Sequence, residues 1–216
     1  MFRAHQHKKA VADYEERHAQ WAGARDELAQ VLAIAAQGGP TSSSDLLLKR
    51  GEQLVAQVAP CGLVEDRKGA GHWQGGSQGL SIPIGSLGGR SVRYRVGQTR
   101  GHYVQGDPVP TAVDTGTLFV TSQRAVFVGQ KQTRECLFTK LLAVDTSTPG
   151  ELVFSVSNRQ KATVVAFGAD IARAVGLRLK LGLAMFQGSV PELVSELQGL
   201  LAELDAHEPT PPPPLD

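Results

Sequence analysis

Between residues 114 and 168 short β-rich runs alternate with polar tips, and this pattern limits the fold more than any other stretch of the chain. Runs at 117–122, 124–128, 134–138, 141–145, 151–157 and 163–167 are separated by tips at 122–123, 129–133, 146–150 and 158–161. Alternation over four to eight residues between polar turns is the signature of antiparallel strands joined by hairpins. Two earlier pieces add to the set, 80–84 and 91–96. In the second, Val92, Tyr94 and Val96 alternate with Arg93 and Arg95, the period of a half-exposed strand. Pro83 makes the first an edge strand at best. About seven or eight strands at this spacing predict an antiparallel sandwich or barrel.

An apolar segment at 170–186 follows the last run. Leu177, Leu179, Leu181 and Leu183 alternate as a strand would, but both flanks and the length favour a helix. A helix here would close the open end of the β core, giving an α+β fold. The expected core is Leu118, Val120, Phe127, Leu137, Val153 and the neighbours of Phe154, closed by the helix around Ile171 to Met185.

Helical segments flank this region. Residues 4–37 lack proline, and Val11, Tyr14, His18, Trp21, Arg25, Leu28, Leu32 and Ala35 fall three and four apart along one seam. His18 and Arg25 interrupt it, so packing on the domain or a short antiparallel helix pair competes with a parallel coiled coil. Gly38, Gly39 and Pro40 stop the helix. Ser42 or Ser43 then offers a cap for a second helix at 45–58, with Leu46, Leu47, Val55 and Val58 apolar and Pro60 closing it. The two would make an α-hairpin. Near the other end, Pro191 opens an amphipathic helix to about Ala206, with Leu193, Val194, Leu197, Leu200, Leu201 and Leu204 in one stripe. The run from Pro209 onward fits a disordered polyproline II segment. The expected organisation is a helical arm at 1–60, the β domain with its closing helix at 61–188, the amphipathic helix at 189–207 and the proline-rich tail at 208–216.

The chemistry of a catalytic site is missing from the pattern. The stretch 62–101 is rich in glycine but holds no phosphate-loop motif, and Gly85-Ser-Leu-Gly-Gly89 reads as a turn. His5 and His7 could hold a metal weakly but fit a basic, disordered terminus better. His102, beside Tyr103 and near Asp107, has no nucleophile at a defined spacing. Cys61 and Cys136 read as small buried hydrophobes, with Cys136 pointing inward from its strand. No catalytic residue, metal ligand or cofactor is expected. An enzyme site assembled in the 69–101 loops would need His72, His102 and Asp107 to converge.

A net charge of +1 gives no global field for nucleic acid or membranes. Arg124, Lys131, Arg134, Arg159 and Lys161 would form a positive rim if the fold gathers the tips, though ordinary solvated hairpin tips explain them as well. No aromatic residue interleaves these tips, which weakens a nucleic-acid surface. The basic start lacks an apolar h-region, and no apolar run nears the roughly 18 residues of a membrane span. The natural reading is a cytoplasmic protein, with a membrane-peripheral one as the variant.

The line from Gly116 through Leu118, Thr121, Arg124, Phe127 and Gly129, followed by Leu141, Leu142 and Val144, resembles the bacterial pleckstrin-homology/GRAM-like superfamily over about residues 114–145. The resemblance implies a PH-like β domain plugged by the 170–186 helix, and binding rather than catalysis. The ligands it implies are phosphoinositides in some eukaryotic members and proteins or unknown ligands in bacterial ones. The helical arm and the glycine-rich approach lie outside such a domain, and no dense basic cluster sits between its first strands, where Arg90, Arg93, Arg95 and Arg100 are the nearest. The expected function is a binding or scaffold protein acting through protein–protein contacts, including self-association through Leu193, Leu197, Leu200 and Leu204. An anionic lipid headgroup is the alternative ligand.

Overall fold

A long helix, α1 (Phe2–Gln37), opens the computed structural model of the chain. The model describes the backbone of residues 2–43, 45–87 and 90–214, and the side chains of those residues apart from 2–4, 68–106 and 108. The helix ends where expected, with the Gly38 N–H donating to Ile34 O at 2.9 Å. The strands are β1 (Leu54–Leu87), β2 (Arg90–Thr121), β3 (Arg124–Gly129), β4 (Thr133–Leu137), β5 (Leu141–Asp145), β6 (Glu151–Val156) and β7 (Thr163–Ala166). Helices α2 (Ala172–Gln187) and α3 (Val190–Ala206) complete the chain.

The chain forms two compact units, Met1–Val64 with Ala112–Asp216, and Glu65–Thr111. The second consists of the later part of β1 and the earlier part of β2. The expected strand pieces at 80–84 and 91–96 fall inside these two strands. The side chains singled out there, His72, Arg90, Arg93, Arg95, Arg100 and His102, lie outside the described residues.

The fold is α+β, with all seven strands in one antiparallel sheet ordered β4-β3-β2-β1-β7-β6-β5. The sheet is open, which corrects the expected closed barrel or sandwich: β4 and β5 remain its two edges. Register places Leu118 opposite Phe127 and Ala125 opposite Cys136. Those side chains share one face with Val120, Leu152, Phe154 and Val165, and all three helices cover that face through Leu28 and Val31, Leu179 and Leu181, and Leu193 and Leu197. The opposite face carries a smaller cluster of Leu46, Phe119 and Val126.

Of the expected core, Leu118, Val120, Phe127 and Phe154 are buried. Leu137 and Val153 are corrected to half-buried. Each is one residue out of phase with the core side chains of its strand, Cys136 on β4 and Leu152 and Phe154 on β6, and successive strand residues face opposite sides.

The expected second helix at 45–58 does not form, and the α-hairpin with it. Residues 45–53 make an irregular connector, and the chain is extended from Leu54. Gly51 sits at φ +74°, a left-handed conformation that ends a helical path. Glu52, next to it, is drawn into the interior by a cation from the sheet. Ser43 Oγ accepts the Asp45 N–H at 3.2 Å, a local turn in place of a helix cap.

The 170–186 segment is helical as preferred, and α2 presses directly on the sheet. At Gly182 a Cβ would lie 2.7 Å from Thr121 O and 3.0 Å from Val120 Cγ1, so the contact admits no side chain. Among the described residues no helix is long and apolar enough to cross a membrane.

Candidate functional site

The most elaborate polar assembly centres on Arg124, and it faces inward. Glu52 is 1% exposed and Arg124 8%. The Glu52 carboxylate accepts Thr121 Oγ1–H and Arg124 Nε–H, both at 2.7 Å, on one oxygen. Its other oxygen accepts the Lys49 N–H at 2.6 Å and an Arg124 Nη2–H at 3.0 Å. Arg124 also donates to Glu135 Oε1 at 2.6 Å and Leu47 O at 2.7 Å. Burial works to raise the Glu52 pKa, but the donors from Arg124, Lys49 and Thr121 outweigh it and hold the carboxyl below its ordinary value. Every nitrogen of the guanidinium donates: Nε and Nη2 tie the 45–53 connector to the β2–β3 turn, and Nη1 reaches Glu135 on β4. Arg124 is therefore a structural cation rather than a rim residue.

The rest of the expected rim divides. Arg159 turns inward, donating to Thr163 Oγ1 at 2.8 Å and to the Glu135 carbonyl. Arg134 is half-buried, whereas Lys131 and Lys161 are exposed on the β3–β4 and β6–β7 tips. The β3–β4 tip is itself organised by Asp114, which accepts the Thr115, Lys131 and Gln132 N–H groups at 2.9 Å each. Burial works to raise the Asp114 pKa, but these backbone donors outweigh it and hold the carboxyl below its ordinary value. No pattern in the sequence pointed to this role for Asp114.

Neither cysteine has the environment of a nucleophile. Both are buried and free, and burial pushes both thiols up in pKa. Among the described residues no cluster of three or more His, Cys, Asp or Glu could hold a metal ion. Asp107 is exposed.

The helical layer is where surface and shape combine. α3 runs antiparallel to α1, with His18 near Glu208 and Leu28 beside Leu200; Trp21 Nε1–H donates to Leu204 O at 2.8 Å, and Arg25 pairs with Asp205 at 2.9 Å. α2 joins them through Arg178 Nη2–H to Gln30 Oε1 at 2.6 Å and Lys180 to Glu196 at 2.7 Å. Of the expected interaction stripe, Leu193 and Leu197 are buried beneath α1 and α2, Leu204 is half-buried, and Leu200 is 43% exposed. The stripe therefore serves the chain's own core first, and only its outer edge faces out.

That edge borders a groove of about 530 Å³ between the three helices. Leu28, Leu177, Leu200 and Leu204 line it, with Arg173, Glu203 and His207 as its polar members. The groove thus pairs an apolar floor with a few charged groups at its border.

Compared with known proteins, the chain matches no family model, no curated protein and no solved structure.

Proposed function

We propose that this protein is a non-catalytic binding module that engages a protein partner through its helical layer. The observation that carries the reading is the leucine-lined groove between α1, α2 and α3. The fitting occupant is a short amphipathic helix whose apolar side chains, three and four residues apart, enter between Leu28, Leu177 and Leu200. Arg173 and Glu203 at the border would set its orientation by charge. The PH/GRAM-like reading belongs to the same proposal, supported by seven antiparallel strands followed by a helix that closes on the core. A lipid-headgroup role loses support from the inward turn of Arg124 and Arg159.

A photo-crosslinking amino acid at Leu200, in the cells that make the protein, tests the reading. The expected result is one discrete cross-linked protein at Leu200 and none at Leu142, which is 72% exposed on β5. Equal labelling at both positions, or none at Leu200, overturns it.

A further inference from the structure

We infer that the first half of α1 is a binding site for polyproline II peptides, held in this structure by the chain's own segment 208–214. This goes beyond the groove at Leu200 and uses a different stretch of surface.

The burial pattern of α1 carries the first part. Between residues 5 and 21 the half-buried positions are His7, Val11, Tyr14, His18 and Trp21, and every residue between them is exposed. That spacing of three and four marks a single stripe along the helix.

The partner strip shows a different period. In 208–214 only Pro209 and Pro212 are half-buried, and the other residues are exposed. One residue in three is the repeat of a polyproline II helix resting on one edge. The segment has no helix or strand, as its sequence predicts.

Direction and length agree. Trp21 meets Leu204, and His18 Nε2 lies 3.9 Å from Glu208 Oε1, so beyond α3 the chain proceeds toward the start of α1. At about 3.1 Å per residue, 208–214 extends about 19 Å. The helix from His18 back to His7 rises about 16 Å. The two strips match in length and run antiparallel.

The surface is of the kind that takes proline. Tyr14, His18 and Trp21 form a ring ladder with centroids 5.5 and 5.4 Å apart. Aromatic ladders accept the ridges of polyproline II helices, which lose little entropy on binding because proline is already fixed. The ligand class is a Pro-x-x-Pro peptide preceded by an acidic residue that meets His18. The chain's own segment acts as a tethered competitor, and a stronger proline-rich sequence in a partner would displace it.

The test titrates a fluorescein-labelled peptide of residues 207–214 into full-length protein, read by anisotropy. A tether of this kind holds its segment at about 1 mM effective concentration. Against a peptide with a Kd of about 100 µM, that masks the site about tenfold. The P209A/P212A double variant of the full chain is therefore expected to bind the peptide about tenfold more tightly than wild type. Adding Tyr14→Ala is expected to weaken that binding tenfold or more, while Tyr14→Phe, which keeps the ring, preserves it. Equal affinity of wild type and double variant, no binding to the double variant, or binding indifferent to Tyr14→Ala overturns the proposal. Unchanged far-UV circular dichroism in each variant keeps loss of fold apart from loss of the site. Cross-linking at Leu200 does not depend on this surface, so the two readings fail separately.

Discussion

Replacing Glu52 by Ala should destabilise the protein heavily while leaving its fold recognisable. The side chain is 1% exposed and accepts hydrogen bonds from Thr121, Arg124 and the Lys49 backbone. Removing one partner of a buried ion pair typically costs about 3–5 kcal/mol, because the remaining charge stays buried without compensation. Here Arg124 keeps Glu135 and the Leu47 carbonyl, which places the expected loss near the lower bound, about 3 kcal/mol. For a chain of this size that is a fall in Tm of about 6–12 °C. A double variant, Glu52→Met with Arg124→Met, removes both charges and is expected to recover most of the loss. The pH dependence follows from the same geometry. The folded-state pKa of Glu52 is depressed, so its contribution is present in full above the unfolded carboxyl value of about 4.3. It is lost as pH falls below that value and through the folded one. Chemical denaturation of wild type and E52A from pH 7 to pH 3 reads both effects, and the gap between the two should narrow in acid. An E52A Tm within 2 °C of wild type (far below the roughly 6 °C expected), or a double variant no better than the single, refutes the reasoning.

Further outcomes follow from packing. Phe127→Ala should cost about 3–5 kcal/mol by equilibrium unfolding, since the residue is 1% exposed within the main core cluster; an unchanged Tm would contradict this core. Gly176 and Gly182 lie on the same helix and should respond with opposite sign to alanine. At Gly176 a Cβ meets nothing within 4 Å, so G176A should stabilise by up to about 1 kcal/mol. At Gly182 it would meet the Thr121 carbonyl, so G182A should destabilise by about 1–3 kcal/mol. Thermal melts of the pair that shift in the same direction would argue against close seating of α2 on the sheet. Asp114→Ala should lower Tm and loosen the β3–β4 tip, seen as faster amide exchange at Lys131 and Gln132, whose N–H groups it accepts.

Local pattern settled much of this protein. Short apolar runs between polar tips placed β3 through β7 within a residue or two, and in β6 and β7 alternate residues are buried, which the period-two pattern records. Helix α2 emerged despite the alternating leucines at 177–183, because its length and flanks outweigh a short ambiguous run. The α1 seam and the proline-rich tail were both legible, and so was a cost to leaving the α3 leucines in water. What the sequence could not say is which surfaces meet. The docking that brings Trp21 to Leu204 and His18 to Glu208 is a long-range outcome that no local pattern records. Arg124 looked like a tip cation because sequence shows charge but not direction, and the long-range partner Glu52 turned it inward. The same pairing overrode the helical propensity of 45–58, where Gly51 had already weakened the helix. The open sheet was likewise a tertiary outcome: strand alternation is identical in a barrel and in a sheet, and closure depends on whether the edge strands β4 and β5 pair, which here they do not.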